Sequence, residues 1–94
     1  TTRLGLEVLY QRHIADLCKK YGAKFTEVYS RWTSIYNEVY EQAGLKKFVR
    51  SNLDLQNGPI GGHCVIPNAE LMKEESWAAD LVFKEGSKNW INNE

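Results

Sequence analysis

Hydrophobic positions in the first part of the chain repeat with a helical period. Between residues 3 and 21 the main apolar stripe recurs every three or four positions and consists of Leu6, Tyr10, Ile14, Leu17 and Tyr21. Arg12 lies with other charged residues on the opposite side, while His13 and Cys18 border the stripe and are expected in the core. Gly22 follows the last apolar position, as is typical of a helix C-terminus. The pattern predicts a first amphipathic helix.

The clearest repeat covers residues 26–43. Its apolar positions follow the i, i+4, i+7, i+8, i+11 rule and are Val28, Trp32, Ile35, Tyr36, Val39, Tyr40 and Ala43. Thr26 can cap the start of this second helix, and Gly44 ends it. Because the connection from the first helix is short, we expect the two helices to form an antiparallel hairpin. The aromatic stripe is interpreted as core or as a helix-packing interface, and an exposed face for a partner stays open.

After the second predicted helix, the hydrophobic pattern of the sequence is different. Residues 51–67 have no helical period and are rich in turn-forming residues. Asn68 is expected to cap a short helix over residues 69–72, and residues 76–85 are expected to form another helix. No strand pattern is visible. The sequence therefore predicts an all-α fold over residues 1–94: a helical hairpin of two long helices, a glycine-rich loop, and short C-terminal helices.

Composition narrows the function classes. Twelve acidic and twelve basic residues leave no net charge, so nothing favours a nucleic acid or a membrane surface as partner. No apolar run is long enough to span a bilayer. Two cysteines are too few for a disulfide scaffold and favour a cytoplasmic thiol protein. The chain begins at Thr1 with a helical pattern already running by Leu4, so we expect a single helical domain from a longer protein.

The most unusual chemistry lies in residues 57–68, which hold three of the seven glycines, both prolines and one of the two cysteines. Gly61 and Gly62 let a ligand approach the main chain closely. Cys64 comes directly before an expected helix start, where a thiolate nucleophile is favoured. The alternative is that Cys64 is a small buried hydrophobic residue, as most free cysteines are. Cys18, on the first helix, is expected to be of that second kind.

Two other kinds of site receive little support. His63 and Cys64 could be half of a zinc site completed by Cys18 or His13, but no pair has the spacing of metal ligands, so we predict no metal. The glycine loop fits neither the phosphate-binding loop nor the G-x-G-x-x-G pattern, and no strand precedes it. A dinucleotide-binding fold is therefore not expected within these residues.

The loop resembles a known active-site sequence. The stretch from Gly58 to Cys64, Gly-Pro-Ile-Gly-Gly-His-Cys, is similar to the Gly-Pro-Gly-x-Gly-Gly-His-Cys loop of the UDP-glucose/GDP-mannose dehydrogenase family. The stretch from His13 to Gly22 is similar to a helix that precedes the loop in that family. The resemblance covers residues 1–72 and implies the central helical domain, which joins two nucleotide-binding domains.

This resemblance implies roles for particular residues. Cys64 would attack the aldehyde intermediate of a sugar-alcohol oxidation, giving a thiohemiacetal, then a thioester that water hydrolyses. Gly61, Gly62 and His63 would contact the substrate. The family carries an asparagine where this chain has Thr1, and an aspartate where it has Asn68, so these two would stand in the catalytic positions. The family's lysine would precede Thr1.

The resemblance implies a nucleotide-sugar substrate, NAD bound by a domain absent from this chain, and a homodimer. The chain alone is not expected to be active as a dehydrogenase. An alternative of another class is a non-catalytic helical module that dimerises or binds a partner through its aromatic helix faces. Reactivity of Cys64 is what separates the two hypotheses.

Overall fold

Helices account for most of the computed structural model, which describes residues 1–50, 52–53, 55–61 and 64–92. Its elements are α1 (Thr2–Tyr21), a π-helical turn (Thr26–Ser30), α2 (Arg31–Gln42), a 3₁₀ turn (Lys46–Phe48), α3 (Val65–Met72) and α4 (Trp77–Gly86). No strand occurs in these ranges; Gly58 and Trp90 form one isolated antiparallel bridge. The predicted all-α class is confirmed.

A first core cluster lies where α1, α3 and α4 pack together. Its buried members are Ile60, Val65, Ala69, Ala79 and Val82. Close approach of α1 to α4 depends on Gly5, where an added Cβ would lie 2.6 Å from Val82 Cγ1. Gly86 of α4 allows a similarly close approach of the loop residue Ile60, since a Cβ at Gly86 would lie 2.8 Å from Ile60 Cδ1.

A second, smaller cluster joins the C-terminal half of α1 to the connection that follows it. Ala15, Cys18 and Phe25 are its buried members. Phe25 stacks on Tyr29 of the π-helical turn with 5.2 Å between ring centroids. The prediction that Cys18 belongs to the core is confirmed. Gly22 takes up a left-handed conformation (φ 74°) and ends α1, as the sequence predicts.

The predicted buried face of α1 is right only in part: Leu6 and Ile14 of the apolar stripe pack against the core clusters. Tyr10 and Tyr21 of the apolar stripe are exposed, and so is His13. Arg12, predicted on the wet side, is only 5% exposed. The buried positions are Gly5, Gln11, Arg12, Ala15 and Cys18. Small residues allow helices to approach closely, and backbone groups of residues 53, 56 and 58 bond to Gln11 and Arg12, so α1 packs through these positions together with the half-buried Leu6 and Ile14.

The expected antiparallel hairpin is not confirmed. Helix α2 continues directly from the π-helical turn and contacts the 3₁₀ turn that follows it, whereas α1 packs on α3 and α4. Trp32, Ile35 and Val39 of the predicted stripe are all exposed. Their interpretation as core of this chain is therefore wrong, and the open alternative of an exposed apolar face describes them.

The start of α3 also differs from the prediction. The helix begins at Val65 with Cys64 as its N-cap, four residues before the expected cap at Asn68. Pro67 lies in the first turn, where its missing N–H removes no intrahelical hydrogen bond. The predicted helix over residues 76–85 is confirmed as α4, and Ser76 caps it by accepting a hydrogen bond from Ala79 N at 3.2 Å. Among the described helices, none has the length and apolarity that crossing a bilayer requires.

Candidate functional site

Three residues with predicted catalytic positions lie on neighbouring helix starts. Thr1 is the N-cap of α1, and its carbonyl accepts a hydrogen bond from Gly5 N at 2.9 Å. Asn68 Nδ2 donates to Thr1 Oγ1 at 3.3 Å. Asn68 N donates to Cys64 O at 3.0 Å, one helical turn back along α3. The packing of α1 against α3 thus brings Thr1 and Asn68 together beside the residue that carries the thiol.

Cys64 and Gly61 are both exposed to solvent. Among the residues that the structure describes, none would lie within 4 Å of a Cβ at Gly61, which leaves open space above this glycine. The interpretation of Cys64 as a small buried hydrophobic residue is wrong. Gly62 and His63, the other predicted substrate contacts, lie outside the described residues.

Buried polar side chains of α1 hold the segment that leads to the thiol. Arg12 Nη2 donates to Gln56 O at 3.0 Å and to Gly58 O at 2.9 Å. With its amide oriented so that both groups are satisfied, Gln11 donates to Leu53 O at 2.9 Å and accepts from Leu53 N at 3.3 Å. These contacts fasten the backbone at residues 53, 56 and 58 to the side of α1.

The C-terminal segment covers the same region from the other side. Gly58 N donates to Trp90 O at 2.6 Å, and Asn92 N donates to Asn57 Oδ1 at 2.8 Å. Gly58 has φ 90°, a conformation that side chains disfavour, so a glycine suits this contact. Closer to Cys64 in the sequence, Ile60 N donates to Gly86 O at 2.8 Å. The segment before Cys64 is thus held at three places by backbone hydrogen-bonding groups.

The guanidinium of Arg12 is the main electrostatic feature of this region. It lies over the Trp90 ring, 4.9 Å from the centroid, and Trp90 Nε1 donates to Asp16 Oδ1 at 3.1 Å. Burial lowers the pKa of Arg12, and the Asp16 carboxylate opposes that change. Nε and Nη1 have no hydrogen-bond partner in the described structure. The buried cation is therefore stabilised by two carbonyls, an aromatic face and a neighbouring carboxylate.

A cavity of about 340 Å³ lies between α1 and the loop. Its walls are mainly apolar and come from Leu4, Val8, Leu53, Leu55, Ile60, Gly61 and Val65, while Gln11, Arg12 and Gln56 supply polar groups. Gly61 precedes Cys64 in the sequence and Val65 follows it, so the cavity reaches residues on both sides of the thiol. A ligand in this cavity would lie against both the loop and the start of α3.

Sequence reasoning missed Gln11 and Arg12 as residues that position the loop. A signal was present, because Gln11, Ala15 and Cys18 recur at four- and three-residue spacing and form a second stripe of small and polar residues. For metals, no group of three or more His, Cys, Asp or Glu side chains with suitable geometry occurs among residues 1–50, 52–53, 55–61 and 64–92.

Comparison of the chain with protein-family models, with curated proteins and with solved structures gives no match. Interpretation of the site therefore depends on its own geometry and on the loop sequence.

Proposed function

We propose that this chain is the substrate-binding and dimerisation domain of a nucleotide-sugar dehydrogenase-like oxidoreductase, which oxidises a sugar alcohol to the acid with NAD. The observation that carries the proposal is the hydrogen bond between Asn68 and Thr1 beside Cys64. The loop resemblance alone points to these residues, and they are far apart in sequence. A shared location supports a common role.

In this proposal Cys64 is the nucleophile. Its thiolate adds to the carbonyl carbon of a sugar aldehyde, the carbonyl π electrons move to oxygen, and a proton on that oxygen completes a thiohemiacetal. The exposed thiol and the open space above Gly61 leave room for the sugar. Asn68 and Thr1 can donate to and accept from substrate hydroxyl groups, but neither takes up a proton as a carboxylate does.

The described part of this chain has no parallel sheet and no strand followed by a glycine-rich turn and helix, which are the elements of a dinucleotide-binding fold. We therefore propose that NAD is bound by a domain outside this chain and assign no residue here to it. The contribution of this chain is the thiol, the cavity and the polar groups that position the substrate.

A second candidate is a non-catalytic helical interaction module. The exposed apolar positions of α2 favour it, because a contiguous apolar patch on a protein surface commonly marks a contact with another protein. A module of this kind needs neither a reactive thiol nor a nucleotide-sugar site. The two candidates therefore differ in what they predict for Cys64.

Protection of Cys64 against alkylation tests the proposal. Labelling Cys64 faster than Cys18 is not informative, because burial of Cys18 alone would produce that order. The informative quantity is the iodoacetamide rate at Cys64, measured by mass spectrometry with and without UDP-glucose or GDP-mannose. We expect at least one nucleotide sugar to slow the reaction several-fold and in a saturable way, because a sugar above Gly61 blocks access.

Matched ligands and a variant make the result specific. UDP and GDP without the sugar should protect less, and Cys64→Ser should abolish the labelled peptide. Protection by neither sugar nucleotide at millimolar concentration would contradict the substrate-binding role and favour the interaction module.

A further inference from the structure

The exposed stripe of α2 has the geometry of a helix-pairing surface. Trp32, Ile35 and Val39 are 64%, 53% and 59% exposed, and Val28 on the preceding π-helical turn is 52% exposed. The opposite side of α2 faces the protein, where Thr33 is buried and Asn37 bonds to the backbone of Arg50. Helix α2 therefore presents its large apolar side chains away from the rest of the chain.

Spacing in this stripe is that of a coiled-coil seam. Within α2 the three positions are separated by three and four residues, as successive a, d and a positions of a heptad repeat are. Trp32 and Val39 take the a positions, and Ile35 takes the d position between them. A seam of this kind is buried by a second helix whose own a and d side chains fit between them.

Charges beside the seam identify a second α2 helix as the partner. Arg31 and Glu38 are both exposed, and each immediately precedes an a position. In an antiparallel pair these two positions lie opposite each other, so Arg31 of one copy meets Glu38 of the other, and the contact occurs twice. A parallel pair would place Arg31 opposite Tyr36 instead, with no charge pairing. The chain is thus complementary to itself in one orientation.

We propose that α2 packs antiparallel against α2 of a second copy of this chain. Trp32 would pack on Ile35 of the other copy and Ile35 on its Trp32, with reciprocal Arg31–Glu38 ion pairs along one edge. The inference rests on the dimerisation part of the proposed function and is independent of the thiol chemistry.

Charge reversal provides a sharp test. Arg31→Glu would set two carboxylates against each other at both ends of the interface, and Glu38→Arg would likewise set two guanidinium groups against each other. We expect each variant alone to have a dimer dissociation constant roughly 10- to 30-fold above that of the unmodified protein. An equimolar mixture of the two variants should form a heterodimer with near-original affinity, because both opposed pairs in it join a glutamate of one variant to an arginine of the other. Sedimentation velocity over a concentration series measures all three.

Glu41→Arg is the matched control, because it reverses an exposed charge on the same helix away from the seam; its dissociation constant should be unchanged. An unmodified protein that stays monomeric at about 100 µM, or variants that do not weaken the dimer, would overturn the proposal. A mixture that stays monomeric would overturn it too, whereas restored pairing in the mixture also shows that both variants fold. None of these results alters Cys64 protection by nucleotide sugars, so failure here is distinguishable from failure of the substrate-binding role.

Discussion

Asn68 Nδ2 lies 3.3 Å from Thr1 Oγ1, although the two residues are 67 positions apart. The hydrogen bond joins the N-terminus of α1 to the first turn of α3, directly beside Cys64. It is exposed, so its contribution to folding is small. Under the proposed function, this hydrogen bond matters because it positions the Thr1 and Asn68 side chains at the substrate site.

Removing either partner of this hydrogen bond should weaken substrate protection more than it weakens folding. Thr1→Ala and Asn68→Ala are each expected to lower stability by no more than about 0.5–1 kcal/mol, since the bond is exposed. Each should raise the nucleotide-sugar concentration that half-protects Cys64 by roughly three- to tenfold. The double variant should be no worse than one of the singles, because the second change removes a bond already lost. Additive losses would contradict a shared role.

Arg12→Met should loosen the loop. Methionine keeps the aliphatic volume but leaves the carbonyls of Gln56 and Gly58 without their donor, and we expect a loss of about 1–3 kcal/mol in the free energy of unfolding. Urea denaturation measures the loss. Hydrogen exchange at Gly58 N should also become faster, because its bond to Trp90 O lies in the same contact.

Arg3→Met is the control for this change. Arg3 is highly exposed and pairs with Glu7 at 3.9 Å, so its replacement should cost less than about 0.5 kcal/mol. Equal effects at positions 3 and 12 would mean that the bonds from Arg12 to the loop do not stabilise the fold.

Gly5→Ala should destabilise the packing of α1 on α4. The new methyl group would lie 2.6 Å from Val82 Cγ1, and we expect a cost of roughly 1–3 kcal/mol despite the better helix propensity of alanine. Val82→Ala alone creates a cavity and also destabilises. In the double variant the added methyl occupies part of that cavity, so thermal unfolding should show a smaller loss than the sum of the two.

Ser76→Ala tests the start of α4. The Ser76 side chain accepts a hydrogen bond from Ala79 N, and its removal should cost about 1 kcal/mol. Ser76→Asp retains an acceptor and should remain within a few tenths of a kcal/mol of the original, measured by urea denaturation. A loss as large in the aspartate variant as in the alanine variant would contradict a capping role.

Helix positions were predictable from the sequence, and helix faces were not. Periodicity located α1 and α4 well, because a helical repeat depends on local spacing. The buried face of α1 depends on what packs against it, and that is decided by residues far away. A charged residue such as Arg12 is expected on the surface. It is buried here because the carbonyls of residues 56 and 58, more than 40 positions away, accept its hydrogen bonds.

The candidate site was predictable in part for the same reason. Asn68 follows Cys64 by four residues, so helical geometry alone places them one turn apart. Contact with Thr1 requires α1 and α3 to pack at their starts, which no local pattern indicates. The sequence left open whether the apolar stripe of α2 is core or an exposed face, because hydrophobicity reports a preference for burial and does not identify the surface that provides it.

The π-helical turn before α2 determines where the chain can change length without turning its exposed face. Arg31 N donates to Thr26 O, five positions back, so this turn contains one residue more than a regular α-helical turn. Deleting one residue from Thr26–Ser30 would restore regular winding and leave α2 in nearly the same direction, because the wider turn already absorbs the extra residue. A deletion within α2 itself would instead rotate the residues after it by about 100°. Related chains could therefore gain or lose one residue in this turn and still present Trp32, Ile35 and Val39 on the same face.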